Sequence, residues 1–549
     1  MIVIPEILEM IFYHLYYPIF HPNFLLSCAL VSRSWSSNAL SFLWRKPFVH
    51  NKGENIRVKQ IQQFRIFLSF LPDQLLNQVG LKNYSNKQKK FNYNYLSYIK
   101  ELYYIKLYES CLEFWEDEII MRDEIDCRNM EEYQTFECTS NHPSEYFLQE
   151  KILPLINELY NLIILKYEAK IKYFEFSIPK KICSCNYIPT NYFKISQNFS
   201  SECFSALQSF KCNGRYNYPY KNLFKELIKY SKNIMEIKFE NFELLEENLD
   251  YMKKLIYSQK RLRNIEFEFL IKQDFSNLFD SLNEKKNLQY IKIFYCSFNK
   301  LFPIKILSLC KNLKKLSIES SEIGYDDDLI HYEINPFTKL KSLKIIKSKL
   351  FKDVFNQLFS QGSNLERIII REMDLLNKYS NIIPLICLNC HQLKFLKIGL
   401  TEKTFIYLLD ILENCNKLQN LIIYDEHYEI ENDDYMNIFS SNLIIDHLSF
   451  GQVFRRMGKL INHNLKKLYF TSFYYFSEDE FDEFLINCKI NGILKYLSIN
   501  ICGDKENILT LLKNYSNAIN KNLIIKKWET KNYDGKKERF YHIFVVEFT

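Results

Sequence analysis

Glycine and proline are scarce in this sequence, with 11 and 13 residues among 549. Their scarcity disfavours long disordered linkers and turn-rich all-β folds. No apolar run approaches the roughly 18 to 20 residues that span a bilayer. The first ten residues also lack the basic start of a secretory signal. We therefore expect a cytoplasmic or nuclear protein that does not enter a membrane, with its 15 cysteines mostly reduced.

The signatures of common enzymes are missing as well. The sequence contains no HExxH, GxSxG, Walker A or dinucleotide-binding glycine pattern. Its carboxylates cluster in charge-rich segments such as Asp326-Asp327-Asp328, which we interpret as solvated turns. The net charge of +7 is small for this length, so nucleic-acid binding is not expected. We predict a protein that is not an enzyme and needs no cofactor.

What is present is a repeat. The template L-x-x-L-x-L recurs thirteen times, beginning at Ile171, Leu207, Ile234, Leu262, Leu288, Leu313, Leu340, Leu365, Leu393, Leu418, Ile445, Leu465 and Leu494. From Leu207 to Leu418 the copies are 25 to 28 residues apart, a period typical of leucine-rich repeats with one strand and one helix each. Since no copy can bury its apolar face alone, the copies must stack. We predict an α/β fold for residues 96–549: a curved leucine-rich-repeat solenoid with parallel strands on the concave face and helices on the convex face.

Three segments depart from this period. Residues 109–150 hold thirteen acidic residues against two arginines, and we interpret this insertion as a solvated loop or frayed helix, or alternatively as a partner-binding or self-masking segment. The interval of 20 residues between Ile445 and Leu465 predicts a short or missing helix. Residues 523–549 contain two strand-like stretches around Asp534 and Gly535, which predicts a hairpin cap.

The cysteines have a simpler interpretation than metal or redox chemistry. Cys387 and Cys390 form a CxxC pair, but Cys310, Cys390 and Cys415 each precede a copy of the template by three residues. A residue that recurs at one repeat position serves packing, and buried cysteine behaves as a small hydrophobe. The remaining candidates do not have zinc-finger spacing: Cys183, Cys185, Cys203 and Cys212. No metal site is predicted.

The N-terminal residues form a separate module. Ile4, Ile7, Leu8 and Ile11 recur at helical spacing, and Pro5 suits the first turn of a helix. A second apolar stretch, residues 23–48, follows, and the N-terminal residues as a whole predict two or three short helices packed together. Fifty residues are too few for a stable independent core, so the module must lean on a partner or on the following residues.

The order of these residues resembles the F-box motif, from Ile4-Pro5-Glu6-Ile7-Leu8 through Leu30-Val31-Ser32-Arg33 and Trp35 to Leu43-Trp44-Arg45. That family has Leu-Pro where this chain has Ile4-Pro5. With the repeats, the chain resembles F-box proteins with leucine-rich repeats. The resemblance implies an F-box over residues 1–50. Residues 51–95 begin with a helix-like stretch and end in a polar, basic one, which predicts linker helices and a boundary between modules. The resemblance also implies docking on a Skp-type adaptor, and through it on a cullin, by Ile4, Pro5, Leu8, Leu26, Leu30, Val31, Trp35, Leu43 and Trp44. The alternative is an amphipathic cap on the repeats.

The residues between the core positions of each strand should point outward, and in mid-array they are basic and apolar. The patch consists of Lys344, Arg367, Ile369, Arg371, Phe395 and Lys397. Adjacent strands lie about 4.8 Å apart, so these side chains should share one ligand. We hypothesise that they bind an acidic or phosphorylated segment of a target protein; the alternative is an ordinary solvated strand surface.

These features predict a non-catalytic substrate receptor of an SCF-type (Cullin–RING) ubiquitin ligase, which brings a target close to a ubiquitin-loaded enzyme. A ubiquitin-independent repeat scaffold that binds proteins is the alternative. A nucleic-acid binder is disfavoured by the weak net charge.

Overall fold

The structure is a computed structural model. It describes residues 5–16, 22–48, 56–85, 94–123, 151–163, 169–177, 203–214, 220–242, 246–270, 276–282, 285–298, 310–323, 337–348, 358–359, 364–371, 382–400, 404–425, 450–470, 475–491, 494–502, 505–519, 521–534 and 537–548. The chain divides into two units, Met1–Gln273 and Asp274–Thr549. Both are α/β, and each is described separately.

The first unit begins with helices and continues as alternating strands and helices. Its helices are α1 (Pro5–Tyr16), α2 (Pro22–Ala29), α3 (Arg33–Leu43), α4 (Ile56–Leu68), α5 (Asp73–Gln78), α6 (Lys82–Ser85), α7 (Tyr104–Asp123), α8 (Leu153–Asn161), α9 (Lys221–Tyr230) and α10 (Glu246–Ser258). Its strands are β1 (Glu101–Tyr103), β2 (Tyr173–Ser177), β3 (Ser209–Asn213), β4 (Glu236–Glu240) and β5 (Asn264–Glu268).

Helices α1, α2 and α3 pack together into one small module, called here the head. Its core contains Leu8, Phe12, Leu25, Ala39 and Phe42. The side chain of Ser32, at the N-cap of α3, accepts a hydrogen bond from the Trp35 backbone N–H, which fixes where this helix begins. The head therefore has a defined three-helix arrangement.

The head is joined to the first strand by direct contacts. The ring of Trp44 lies 5.7 Å from that of Phe67 and 4.9 Å from that of Tyr95. The carbonyl of Arg45 accepts hydrogen bonds from the N–H groups of Lys100 and Glu101, at 2.9 and 3.0 Å. Strand β1 thus begins on a carbonyl that the head supplies.

The same carbonyl contact recurs at the start of β2, β3, β4 and β5. Lys100 accepts from the N–H groups of Lys172 and Tyr173 at the start of β2, and Lys172 accepts from Gln208 and Ser209 at the start of β3. Paired acceptance of this kind satisfies the backbone groups that lie just before each strand. Strands β1 to β5 are parallel and follow one another in sequence order.

The described part of the predicted acidic insertion is helical. Residues 109–123 form the C-terminal part of α7, in which Phe114 and Trp115 are buried. Glu116 and Asp117 form ion pairs with Arg57 and Arg65 of α4, at 2.9 and 2.8 Å. These carboxylates are therefore held against a basic helix, not in a solvated loop; residues 124–150 lie outside the described residues.

In the described residues of the second unit, six strands follow the first helix, and strands and helices alternate from the second helix onward. Its helices are α11 (Ser276–Phe279), α12 (Ile382–Asn389), α13 (Tyr407–Asn414), α14 (Phe450–Leu460), α15 (Glu478–Asn491) and α16 (Lys505–Ala518). Its strands are β6 (Tyr290–Phe294), β7 (Ser297–Phe298), β8 (Lys315–Glu319), β9 (Glu322–Ile323), β10 (Ser342–Ile346), β11 (Arg367–Arg371), β12 (Phe395–Leu400), β13 (Asn420–Asp425), β14 (Lys467–Phe470), β15 (Tyr475–Phe476), β16 (Tyr496–Cys502), β17 (Leu523–Asp534) and β18 (Lys537–Phe548).

The main sheet of this unit has the order β6-β8-β10-β11-β12-β13-β14-β16-β18-β17. The strands are parallel as far as β16, while β18 pairs antiparallel with β16 and with β17. The two strands predicted around Asp534 and Gly535 are thus present and antiparallel. Strand β15 pairs with β16, and β7 pairs with β9 in a separate small sheet.

Alternate strand residues point into the core and meet the helices. In the first unit, Phe224 of α9 contacts Phe210 of β3 and Phe239 of β4, with ring centroids 6.3 and 6.0 Å apart. In the second unit, Phe454 of α14 contacts Phe470 of β14 at 5.8 Å. The apolar alternation of each template copy therefore sets which strand face is buried.

One copy of the template does not behave as predicted. Strands β13 and β14 pair directly, with Ile422 opposite Tyr469, so no strand from Ile445 lies between them. Residues 445–449 are outside the described residues, and Phe450 begins α14. The short or missing helix predicted here is wrong, because α14 has 11 residues.

Candidate functional site

Helix α1 of the head carries apolar side chains on two faces. Leu8 and Phe12, four residues apart, are fully buried in the head core. Ile7, Met10 and Ile11 share a different helical face at spacings of three and four, and all three are exposed, Met10 by 61%. A helix needs only one apolar face to pack on its own domain, so the second face is available to a partner.

The turn between α2 and α3 exposes two more apolar side chains. Leu30 is 88% exposed and Val31 is 63% exposed. Their N–H groups donate to the carbonyls of Ser27 and Cys28, at 3.1 and 3.2 Å, so the turn has a fixed backbone. Both residues were predicted from the sequence to bind the adaptor, and both are accessible.

The other predicted docking residues have different positions. Leu8 is buried, and Trp35 and Leu43 are partly buried against the head core. Trp44 lies in the joint with α4. Leu8 and Trp44 are buried and support the head, whereas Trp35 and Leu43 remain partly exposed at its surface. Pro5 is the first residue of α1 and Leu26 lies in α2, with side chains outside the described set, as is the whole of Ile4.

A second candidate surface is the outward face of strands β10, β11 and β12, where the predicted basic patch lies. Ile369 of β11 is paired with Lys344 of β10 on one side and with Lys397 of β12 on the other. Arg367 of β11 is paired with Phe395 of β12. The structure therefore brings the predicted patch residues together on three neighbouring strands.

Aromatic rings hold the cations of this patch. The guanidinium of Arg367 lies 3.7 Å from the centroid of the Phe395 ring. Arg371 and Lys397 both lie over the ring of Tyr424, at 5.4 and 5.9 Å. The Tyr424 hydroxyl donates to the carbonyl of Ile370, which fixes this ring beneath them. Tyr424 was not among the residues predicted for this patch. The sequence places it in β13 but does not indicate which side chains of β11 and β12 it contacts.

Carboxylates limit the patch at its edges. Lys344 pairs with Glu319 of β8 at 2.7 Å. Glu366 accepts hydrogen bonds from Lys341 and Lys394, at 2.7 and 2.9 Å. These two hydrogen bonds lower the pKa of Glu366 to about 2. Lys341, Lys344 and Lys394 therefore already have acidic partners, and Arg367 instead lies against a ring.

The outward strand face of the first unit is an ion-pair ladder. Lys211 of β3 lies 3.2 Å from Glu175 and 3.3 Å from Glu240. Lys238 of β4 lies 2.6 Å from Glu240 and 2.9 Å from Glu268. Burial alone would lower the pKa of Lys238, but the hydrogen bonds to these two glutamates raise it above its usual value. The lysines of this face are neutralised within the sheet.

The repeated cysteines are buried thiols. Cys310, Cys387, Cys390 and Cys415 all lie in the core of the second unit. Burial raises the pKa of Cys387 and Cys415 to about 12, so these thiols are not reactive at neutral pH. Among the described residues, no cluster of His, Cys, Asp and Glu could hold a metal ion; Cys183 and Cys185 lie outside that set.

Comparison with known proteins gives no identification: no family model matches the chain, and no curated protein has a matching sequence. None of the helices in the described ranges is both long and apolar enough to cross a membrane. The function must therefore be inferred from the residues of the molecule itself.

Proposed function

We propose that this protein is the non-catalytic substrate receptor of an SCF-type ubiquitin ligase. In this proposal the head is an F-box that docks on a Skp-type adaptor, and the repeats bind the target protein. The observation that carries it is the exposed apolar surface of the head, formed by Ile7, Met10 and Ile11 on α1 with Leu30 and Val31 on the following turn. These positions coincide with the part of the sequence that resembles the F-box motif.

The size of the apolar surface supports a lasting interface. Fully burying one large aliphatic side chain contributes roughly 1.5 to 3 kcal/mol. Five such residues on a module of three short helices would therefore outweigh much of the entropy lost on association. Fully desolvated side chains near the centre of an interface usually contribute most of its binding energy.

The joint between head and strands supports a positioning role. Trp44 packs on Phe67 and Tyr95, and Arg45 and Lys46 pair with Glu101 of β1 at 3.4 and 3.0 Å. A receptor acts by holding its target near a catalytic subunit, which raises the effective concentration of the reacting groups. Because the head is packed against the first strand, an adaptor bound to the head would hold the strands in a fixed position. A loosely tethered head would leave that position variable.

The test is capture of a recombinant Skp-type adaptor by the full-length protein. We expect the double variant Leu30→Asp and Val31→Asp to lose at least about tenfold in adaptor affinity, because two charges would enter an apolar interface. The control is Leu388→Asp, at an apolar residue of α12 that is 68% exposed. Equal adaptor affinity of the head variant and the control would overturn the docking proposal.

Substitutions inside the head cannot replace this test. Leu8→Asp would place a charge at a fully buried position and would unfold the module, whether or not it binds an adaptor. The alternative, a ubiquitin-independent scaffold, predicts that wild type and the double variant fail equally to capture the adaptor while both still bind the target protein.

A further inference from the structure

We propose that the outward face of β11, with its neighbours β10, β12 and β13, binds an extended acidic peptide. The peptide carries acidic, apolar and acidic side chains at alternate positions. This inference rests on the proposed function, because such a peptide would be the recognition segment of the target. The recognition segment of the target would then be an extended stretch with two acidic residues, one on either side of an apolar one.

The alternation is present on the strand itself. Arg367, Ile369 and Arg371 are the outward residues of β11, while Ile368 and Ile370 between them are fully buried. Residues two apart on a strand lie about 6.6 Å from each other on the same face. An extended peptide has nearly the same repeat distance. A peptide that lies along β11 would therefore meet cation, apolar and cation positions in turn.

Ile369 is not the only apolar side chain at the centre of this face, because Ile422 lies two strands away at the same level. Ile369 of β11 and Ile422 of β13 stand on either side of Lys397 in the register of the sheet. Both isoleucines are partly exposed. A leucine-sized side chain of the peptide would cover Ile369, and the acidic side chains would reach the arginines at each end.

The arginines are already oriented. The guanidinium of Arg367 lies over the Phe395 ring at 3.7 Å, and Arg371 shares the Tyr424 ring with Lys397. A guanidinium that rests on a ring loses less side-chain freedom when it binds a carboxylate. Arg371 and Lys397 also approach one ring from two strands, so a single carboxylate can interact with both charges.

The charge of the face favours an anionic partner. Among the side chains that the structure describes on β6, β8, β10, β11, β12, β13 and β14, the outward positions carry seven basic residues and one acidic residue, Glu319. The seven are Lys292, Lys315, Lys344, Arg367, Arg371, Lys397 and Lys467. An acidic partner complements this excess and is drawn to it from solution.

The rings of the patch favour a peptide over a single-stranded nucleic acid. Bases bind such surfaces by stacking on aromatic faces that are accessible. Here the Phe395 ring is covered by Arg367, and the Tyr424 ring is buried beneath Arg371 and Lys397. Isoleucines, which cannot stack with bases in this way, occupy the centre of the face.

The test uses two fluorescein-labelled heptapeptides of identical composition and the purified full-length protein. One has the matching pattern, Ser-Glu-Ser-Leu-Ser-Glu-Ser, and the other a permuted order, Ser-Glu-Glu-Ser-Ser-Leu-Ser. Fluorescence anisotropy should show at least about fivefold tighter binding of the matching peptide. The double variant Arg367→Glu and Arg371→Glu should lose that preference and at least about tenfold in affinity.

The control double variant is Arg456→Glu and Lys513→Glu, which makes the same change in charge at exposed positions of α14 and α16. It should bind the matching peptide within about twofold of wild type. Equal affinity for the two peptides, or an equal loss in both double variants, would overturn the proposal. Preferential binding of a single-stranded RNA oligonucleotide at the same ionic strength would also overturn it. The peptide assay contains no adaptor, so a negative peptide result would not count against docking of the head. Equally, a failure of the protein to capture the adaptor would not count against peptide binding by the strand face.

Discussion

The strand faces of the two units are built on the same parallel backbone but use charge in opposite ways. In the first unit, the outward positions of β1 to β5 carry six glutamates and two lysines. Lys211 lies between carboxylates of β2 and β4, and Lys238 pairs with Glu240 on its own strand and with Glu268 of β5. In the second unit, basic residues outnumber acidic ones at the described outward positions of β6 to β14, and Arg367 and Arg371 lie over aromatic rings.

This difference separates charge that stabilises a sheet from charge that can serve a partner. Lys211 and Lys238 satisfy glutamates that would otherwise repel one another across strands about 4.8 Å apart. Arg367, by contrast, is braced by Phe395 and remains exposed. If the distinction is real, equivalent substitutions on the two faces will have unequal effects on stability.

The largest difference is expected for aromatic residues. Trp44→Ala removes a buried ring that contacts Phe67 and Tyr95, and it should lower the free energy of unfolding of the first unit by about 3 to 5 kcal/mol. The comparison variant Phe395→Ala removes a partly exposed ring from the strand face of the second unit and should cost less than about 1 kcal/mol. Trp44 lies in the joint below the head, so this pair compares a core ring of the first unit with a surface ring of the second. Urea unfolding, followed by circular dichroism, measures both. A similar loss in the two variants would show that Phe395 is part of the core.

A smaller difference is expected for the lysines. Lys238→Met leaves three glutamates, Glu240, Glu266 and Glu268, without the ammonium that lies 2.6, 3.6 and 2.9 Å from them. Because the site is only partly buried, the cost should be about 2 kcal/mol, below that of breaking a buried pair. Lys344→Met removes one pair with Glu319 and should cost less than about 1 kcal/mol.

A second substitution tests the cause of that difference. Adding Glu268→Gln to Lys238→Met removes one of the uncompensated carboxylates and should restore part of the lost stability. Thermal unfolding of the single and double variants gives the comparison. If Glu268→Gln destabilises the Lys238→Met protein further, repulsion between glutamates is not the reason for the loss.

The strand faces were predictable because each template copy fixes its own register. In L-x-x-L-x-L the apolar side chains must face the core, so the residues between them face outward without any knowledge of neighbours. This is why Lys344, Ile369 and Lys397 pair as predicted. The same reasoning failed at Ile445, because a six-residue segment with three spaced apolar residues can begin a strand or precede a helix.

The partners of the outward charges were not predictable in the same way. Tyr424 lies beneath Arg371 and Lys397 because three separate strands meet there, and no spacing in the sequence encodes that meeting. In the head, Leu8 and Ile7 are adjacent and both apolar, yet one is buried and the other exposed. Composition alone cannot decide between two apolar faces of one helix; the packing of α2 and α3 decides it.

The smallest expected effect concerns acid sensitivity at the edge of the basic face. Glu366 accepts hydrogen bonds from Lys341 and Lys394, which lower its pKa to about 2, whereas an unfolded glutamate titrates near about 4.3. Its contribution to stability is therefore full above the unfolded pKa and is lost as the pH falls from that value through about 2. Glu366 is partly exposed, so solvent screening keeps this contribution small. Glu366→Gln should lower the melting temperature slightly at pH 7, and the difference from wild type should disappear near pH 2. A difference that persists in acid would show that Glu366 stabilises the strand by packing, and that the edge of this face does not depend on charge.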